Sequence, residues 1–217
     1  TYELIGRCER HHDQDGKEYQ ILTLPEDYDP TKVDISSLIQ PHLSAAKGKL
    51  FLGFDQARRK HLSAIWIDEQ VMQNKDFEFQ EQVLWQCLNL PKMTRAGIDA
   101  TGLGMRTAER AVTRFGGLVV PVDFSSTITT RTGEKTRVKA LIARVMLERH
   151  QDARDRYPVD DTIRKDFHKI KRIRTGSPDS FGYEADDDAT GHSDIFTAAA
   201  LSKVVAQELA EYGGRIE

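Results

Sequence analysis

From Lys49 onward, short apolar runs alternate with segments of helical period, and this order leaves few folds open. Leu50-Phe51-Leu52-Gly53-Phe54 ends in Asp55, a polar turn covers Gln56 to His61, and Leu62 to Ile67 forms a second run. The two read as a hairpin with a long loop. Phe79, Val83, Leu84, Cys87 and Leu88 recur at helical spacing, which predicts a helix over Phe79–Leu90 closed by Pro91. Ala96-Gly97-Ile98 reads as a buried strand leading into Asp99. Thr101-Gly102-Leu103-Gly104 then turns the chain into a helix with Ala108, Ala111, Val112 and Phe115 on one side. Gly116-Gly117 ends that helix, and Leu118 to Val122 is the next strand. An amphipathic helix is predicted over Lys135–His150, with Val138, Leu141, Ile142 and Val145 inward. A shorter basic helix follows over Asp161–Lys171, then a loop or hairpin over Thr175–Asp188, and a last helix over Ser193–Tyr212. A hairpin followed by alternating strands and helices predicts a mixed α/β sheet flanked by helices on both faces.

Residues 1–48 are more broken. His11-His12-Asp13-Gln14-Asp15-Gly16 reads as a turn, Tyr19 to Leu24 as a short strand and Pro25 to Pro30 as a loop. We expect an N-terminal arm or linker over 1–48 and one folded domain over 49–217. A chain of 217 residues buries enough surface to hold a core without disulfides. Cys8 and Cys87 form no metal pattern or disulfide framework, which points to a reducing, cytoplasmic setting. No apolar run approaches the length of a membrane span. Thr1-Tyr2-Glu3-Leu4 carries neither an initiator Met nor a basic-then-apolar signal, and reads as a start within a longer chain.

Three acids fall where regular elements end or begin: Asp55 and Asp99 after strands, Asp194 at the start of the last helix. In open α/β sheets, sites form beyond the carboxyl ends of strands. Helical spacing aligns Asp194 with Ala198, Leu201 and Val205, the apolar stripe that should face the sheet. A shared cation would remove the penalty of holding acids there. Hard oxygen ligands suit Mg2+ or Mn2+, and a pair of such ions, roughly 3.5–4 Å apart, can drive phosphodiester hydrolysis. The plainer uses of these residues stay open. Strand-end Asp residues are common turn formers, and Asp194 could serve its own helix terminus, with Ser193 as cap.

The net charge of −3 conceals local asymmetry. Arg164, Lys165, Lys169, Lys171, Arg172 and Arg174 are opposed in their stretch by Asp166 alone, while Asp186-Asp187-Asp188 gathers acids elsewhere. Such a stripe could hold a polyanion or be a solvated face. Asp99 to Gly104 could likewise cradle a phosphate on backbone N–H groups, although it is neither a dinucleotide fingerprint nor a P-loop.

Phe51-Leu52-Gly53-Phe54-Asp55 with its hairpin, Gly97-Ile98-Asp99-Ala100-Thr101-Gly102-Leu103-Gly104, and Gly191-His192-Ser193-Asp194-Ile195-Phe196-Thr197-Ala198-Ala199-Ala200-Leu201 together resemble the nuclease domain of tailed-phage terminase large subunits, in the form found in Mu-like prophages. The resemblance covers about Lys49 to Ala210. It implies an RNase H-like fold and metal-dependent cleavage of double-stranded DNA with little sequence specificity, freeing genome ends from concatemers. It also implies a preceding packaging ATPase in the same chain, a small terminase subunit and a portal as partners, and the bacterial host cytoplasm as location. By position, Asp55, Asp99 and Asp194 would hold the metal, and Arg58, Arg59 and Lys60 would lie near the scissile phosphate. Family members often carry a second Asp near the position of His61. Its absence leaves a ligand unfilled, for which Asp188 is the candidate, unless that acidic loop is simply solvated. His192 could assist at metal or phosphate, or make a cap-region hydrogen bond. Arg131, Lys135, Arg137 and Lys139, with Arg164 to Arg174, would hold the DNA backbone without reading bases. Two other readings use the same residues: a non-catalytic nucleic-acid-binding or assembly module, and an actin-like ATP phosphotransferase.

Overall fold

The computed structural model describes residues 7–12, 18–23, 29–32, 34, 49–56, 63–67, 70–74, 77–129, 133, 135–152, 157, 161–174, 181–186 and 193–206. Strands β1 (Arg7–His12) and β2 (Glu18–Thr23) form an antiparallel hairpin. The domain proper runs β3 (Leu50–Asp55), β4 (Ser63–Ile67), β5 (Gln70–Asn74), α1 (Phe77–Leu88), β6 (Met93–Asp99), α2 (Gly104–Phe115) and β7 (Val119–Val122). A small hairpin, β8 (Thr127–Thr129) with β9 (Lys135–Arg137), precedes α3 (Val138–Gln151) and α4 (Asp161–His168). A further hairpin, β10 (Ile170–Arg174) with β11 (Phe181–Ala185), leads to α5 (Asp194–Ala206).

The central sheet has five strands in the order β5-β4-β3-β6-β7. The first three in sequence form an antiparallel meander, while β6 and β7 run parallel to β3. This is the mixed sheet that the sequence predicts, in the RNase H-like arrangement that the resemblance implies. Strand alternation divides the core into two layers. Leu50, Leu52, Phe54, Ala96 and Ile98 pack with Val83, Leu84 and Leu88 of α1 and Ala108 and Ala111 of α2. On the opposite face, Ala64, Trp66 and Val122 pack with Ala198 and Leu201 of α5, Leu141 and Val145 of α3, and Ile163 of α4.

Helix α5 lies directly on β3, β4 and β6 because two glycines clear its path. A Cβ at Gly53 would overlap the Ala198 carbonyl oxygen and come within 2.7 Å of the Ser202 backbone nitrogen. One at Gly97 would sit 3.0 Å from the Leu201 carbonyl oxygen and 3.1 Å from Val205 Cγ1. Helix backbone thus rests on strand backbone, and the apolar stripe Ala198, Leu201 and Val205 faces the sheet as its spacing predicts.

Several elements differ from the sequence reading. Strand β5 follows β4 closely and is not announced by its mostly polar residues. The helix expected from Lys135 begins at Val138, because Lys135 to Arg137 pair with β8. The basic helix expected over Asp161–Lys171 stops at His168, and Ile170 to Arg174 join β11 instead. Val112 is 37% exposed rather than turned inward. His11 and His12 belong to β1, not to a turn. The expected arm therefore contains a hairpin, and β2 lies alongside β5 at the edge of the sheet. The last helix is described to Ala206, and the remainder of its predicted span lies outside the described residues. Cys87 is a buried core residue whose thiol is pushed up by burial, which leaves it inert. Among the described residues, no helix is long and apolar enough to cross a membrane.

Because the Gly53 clash is with backbone, Gly53→Ala should destabilise by at least the upper end of roughly 1–3 kcal/mol, the usual range for overpacking. Gly117→Ala, where a Cβ meets nothing within 4 Å, should change little. Chemical denaturation of the two variants checks this; equal midpoints would contradict the close approach.

Candidate active site

In the parallel pairing of β3 with β6, Phe54 lies beside Ile98, so the next residues, Asp55 and Asp99, end neighbouring strands on the same edge. Each follows its glycine by two positions, so both carboxylates point to the face that carries α5. That helix begins at Asp194, which is only 6% exposed. Asp99, Asp194 and Asp166 each act on Asp55 as nearby negative charges. The structure therefore gathers the three acids singled out by sequence at one end of the sheet and adds a fourth.

Local chemistry fixes each of them. Asp99 Oδ1 accepts the Thr101 N–H at 2.7 Å, and the Thr101 hydroxyl in turn accepts the Phe124 N–H at 3.0 Å. The turn-forming use of Asp99 is thus present, and it occupies one carboxylate oxygen. Gly102, at φ +56°, reverses the chain, and a Cβ at Gly104 would overlap the Asp99 carbonyl oxygen. The Gly-rich turn therefore seats α2 against the end of β6, which accounts for its glycines structurally. On α5, the Thr197 hydroxyl donates to the Ser193 carbonyl at 2.9 Å and lies beside Asp55, to which its single proton can turn instead.

Asp166 is the residue that sequence reading passed over. It lies on α4, is 5% exposed, and its Oδ1 accepts the Phe196 N–H of the first turn of α5 at 2.8 Å. The signal was available. Ile163, Asp166, Phe167 and Ile170 follow helical spacing, so Asp166 interrupts an apolar stripe as Asp194 does on its own helix.

Burial raises these carboxylates. Desolvation, then the charges of Asp99 and Asp194, push Asp55 well above its usual range. Desolvation also raises Asp99, against the hydrogen bonds from Thr101. Asp166 rises to about 6 through desolvation and the Asp194 charge, opposed by the Phe196 N–H and by Lys169. Hard, partly dehydrated carboxylates in mutual repulsion are a donor set suited to a divalent cation. Among the described residues no three His, Cys, Asp or Glu groups already converge on one point. An ion held here would have to take only a few carboxylates and complete its shell with water and phosphate oxygens, as Mg2+ can.

The predicted basic residues are more scattered. Lys135, Arg137 and Lys139 are exposed around the start of α3, and Arg164 and Lys165 are exposed on α4, where Arg164 pairs with Asp161 at 3.0 Å. Lys171, Arg172 and Arg174 are exposed on β10, with Lys171 paired to Asp186. Lys169 corrects the reading of a continuous basic stripe: it is 7% exposed and acts on Asp166. Its position at the turn between helix and strand, not on an outer face, explains the difference. Arg58, Arg59, Lys60, Arg131, Asp188 and His192 lie outside the described residues.

Neither a protein-family model nor a curated protein matches the chain. Solved structures do share its fold. The large terminase nuclease of thermophilic phage G20c with bound magnesium aligns at a TM-score of 0.56 and 18% identity, covering 73% of this chain and 82% of that one. Its cobalt-bound form aligns at 0.56 and 17%, covering 72% and 81%. The large terminase nuclease domain of Thermus phage P74-26 aligns at 0.53 and 16%, covering 77% and 81%. The chain has the terminase nuclease-domain fold.

The raised carboxylates bind protons more tightly folded than unfolded, so they favour the fold at low pH and oppose it once ionised. In EDTA, the Asp166 contribution should be lost between its ordinary value of 3.8 and about 6. The melting temperature of the wild type should therefore fall from pH 5 to pH 7 more than that of Asp55→Asn, which removes one of the repelling charges. Mg2+ added at pH 7 should raise it again by binding the native state. Calorimetry across pH checks both; identical profiles for the two proteins would contradict the clustering.

Proposed function

We propose that the chain is the metal-dependent nuclease domain of a phage DNA-packaging terminase, hydrolysing phosphodiesters of double-stranded DNA with little sequence specificity to cut concatemeric genomes. The observation that carries this reading is the meeting of Asp55, Asp99 and Asp194 at one edge of an RNase H-like sheet, on a fold shared with terminase nucleases crystallised with magnesium and cobalt. Asp55, Asp99 and Asp194 would hold Mg2+ or Mn2+, two ions in our reading. Bound there, such ions polarise the phosphate and lower the pKa of the attacking water. Asp99 keeps one oxygen on Thr101 and presents the other, and the Thr197 hydroxyl beside Asp55 partly opposes the rise that burial imposes on it. Asp188 and His192 belong to the proposal as auxiliary groups on the approach to α5, as do Arg58, Arg59 and Lys60 beside the phosphate.

The backbone of DNA would lie along the cations of β10 and the start of α3. In the β10–β11 register, Arg172 and Arg174 share a face with Tyr183, whereas Lys171 lies opposite Glu184 and pairs with Asp186. A basic and aromatic face suits a polyanion, while the other is partly neutralised. In this reading residues 49–217 are the nuclease domain and 1–48 an arm or linker from a preceding ATPase. A small terminase subunit and a portal are the further partners in this reading. The motif spelling supports a Mu-like prophage setting, acting in the host cytoplasm.

Supercoiled plasmid should be nicked and linearised in Mg2+ or Mn2+ and left intact in EDTA, and Asp55→Asn or Asp99→Asn should abolish cutting while the far-UV spectrum is retained. A fully active double variant would sink the assignment. DNA binding indifferent to metal, without cleavage, would instead favour the assembly-module reading, and stabilisation by ATP the phosphotransferase.

Replacing Arg172 and Arg174 by Ala should weaken binding to unrelated duplexes equally and reduce the slope of log affinity against log salt by about 1.8, two phosphate contacts' worth. Lys171→Ala should change the slope less. Fluorescence anisotropy over a salt series measures both, and an unchanged slope in the double variant would remove β10 from the interface.

A further inference from the structure

Two consecutive residues of α4 grip one residue of α5. Asp166 Oδ1 accepts the Phe196 N–H at 2.8 Å, and the Phe167 ring meets the Phe196 ring edge-on, with centroids 5.3 Å apart and planes at 82°. The Ile195 N–H also donates to Asp166, so this carboxylate takes up N–H groups that the first turn of a helix leaves without intrahelical partners. Helix caps ordinarily come from the residue just before the helix. Here a carboxylate on a separate helix supplies the acceptor, thirty positions away in sequence. The chain just before α5 needs such help, because Ser193 has φ +61°, a conformation disfavoured for a residue with a Cβ. Behind Asp166 stands Lys169, buried at the end of the same helix, whose backbone N–H donates to the Asp166 carbonyl at 3.2 Å. The Lys169 carbonyl accepts the Asp186 N–H at 3.1 Å, which ties the turn to the β10–β11 hairpin.

We propose that Asp166 is a positioning residue: by capping α5 from α4 it fixes the first turn of that helix, and so the direction in which Asp194 presents its carboxylate to Asp55 and Asp99. It does this as a hydrogen-bond acceptor of defined reach. Lys169 balances the buried charge. This rests on the proposed function only in taking Asp194 as a working member of the site; the cap itself stands apart from any reaction. Asp166 is distinct in role from the three acids at the strand and helix ends, because it lies on a separate helix and its Oδ1 caps the first turn of α5.

Three variants of the full 217-residue chain separate geometry from charge. Asp166→Asn keeps an acceptor at the same reach without the charge. Asp166→Glu keeps the charge but moves it outward by one methylene. Asp166→Ala removes both. Hydrogen exchange in EDTA should show the Ile195 to Thr197 amides exchanging about tenfold faster in the Ala and Glu variants, the size expected for a lost cap, with Ala199 to Val205 unchanged and Asn close to wild type. Mn2+ affinity by calorimetry should fall by about 10–100-fold in the same two variants, the range for groups that orient a metal ligand. Plasmid cleavage should lose kcat alongside, with KM for DNA within about twofold, since no DNA contact is touched. Wild-type-like metal affinity in Glu with loss in Asn would overturn the proposal and make the charge itself the functional element. Unchanged exchange at Phe196 in all three would overturn the cap. A wild type that neither binds Mn2+ nor cuts DNA would defeat the nuclease reading, and the exchange data would still decide whether Asp166 orders α5. Should the Ala variant fail to fold, the contrast between Asn and Glu carries the same decision.

Discussion

The contact between the backbone of α5 and the backbone of β3 sets the position of everything that could react. Side chains of ordinary size between a helix and a sheet would hold the two apart; Gly53 and Gly97 remove that spacer at two points along α5. The helix then crosses β3 and β6 with its first turn at their carboxyl ends. Asp194 reaches the strand-end acids only because Ala198, Leu201 and Val205 sit this deep. The same contact orders the second core layer, since α3 and α4 pack on α5 rather than on the sheet alone. A substitution at Gly53 would therefore act on both stability and site geometry, although it lies one turn of helix away from any carboxylate.

The strand ends and the helix start were legible in the sequence because each is written locally. An apolar run terminated by Asp, or an Asp in phase with an apolar stripe, is a statement that a few consecutive residues make by themselves. Asp55, Asp99 and Asp194 were found in this way. Asp166 carries the same signature, but it stands among basic residues, and the charge pattern drew attention away from the apolar period of Ile163, Phe167 and Ile170. The basic run itself was misread for a related reason. Lys169, Lys171, Arg172 and Arg174 can continue a helix by propensity, yet Ile170 and Ile173 have a partner strand in β11, and tertiary pairing overrode the local preference. Strand β5 was missed because an edge strand needs little apolar content. Its ladder with β4 is made of backbone, which leaves weak traces in side-chain pattern.

The pairing of β10 with β11 decides how a polyanion could be held. On a helix, the cations from Arg164 to Arg174 would spread around a cylinder and present no common face. In the structure they are divided: Arg164 and Lys165 stay on α4, Lys169 turns inward, and β10 separates Arg172 and Arg174 from Lys171 by strand alternation. One face of the hairpin carries Arg172 and Arg174 with Tyr183, and the other sets Lys171 beside Glu184 and Asp186. A net charge near zero is thus compatible with a directional anion-binding surface.

The carboxylate end of the sheet is the complement of that surface, and its energetics run against stability. Asp55, Asp99 and Asp166 are each raised chiefly by loss of solvent and further by neighbouring acids, Asp123 in the case of Asp99. A site evolved for stability alone would have spread these residues or matched them with guanidinium groups, as Glu81 is matched by Arg110 on the far face of the sheet. What opposes the rise instead is chiefly a set of backbone and hydroxyl donors, Thr101 on Asp99, Thr197 on Asp55 and the first turn of α5 on Asp166, with Lys169 adding its charge at Asp166. Such donors favour the ionised forms without filling the space between them. Fixed dipoles of this kind hold negative charge in readiness for a cation, where a bound Arg or Lys would occupy the place the cation needs. If the proposed reading holds, the retained repulsion and the capacity to take a metal are one property of the fold, viewed with and without the ion.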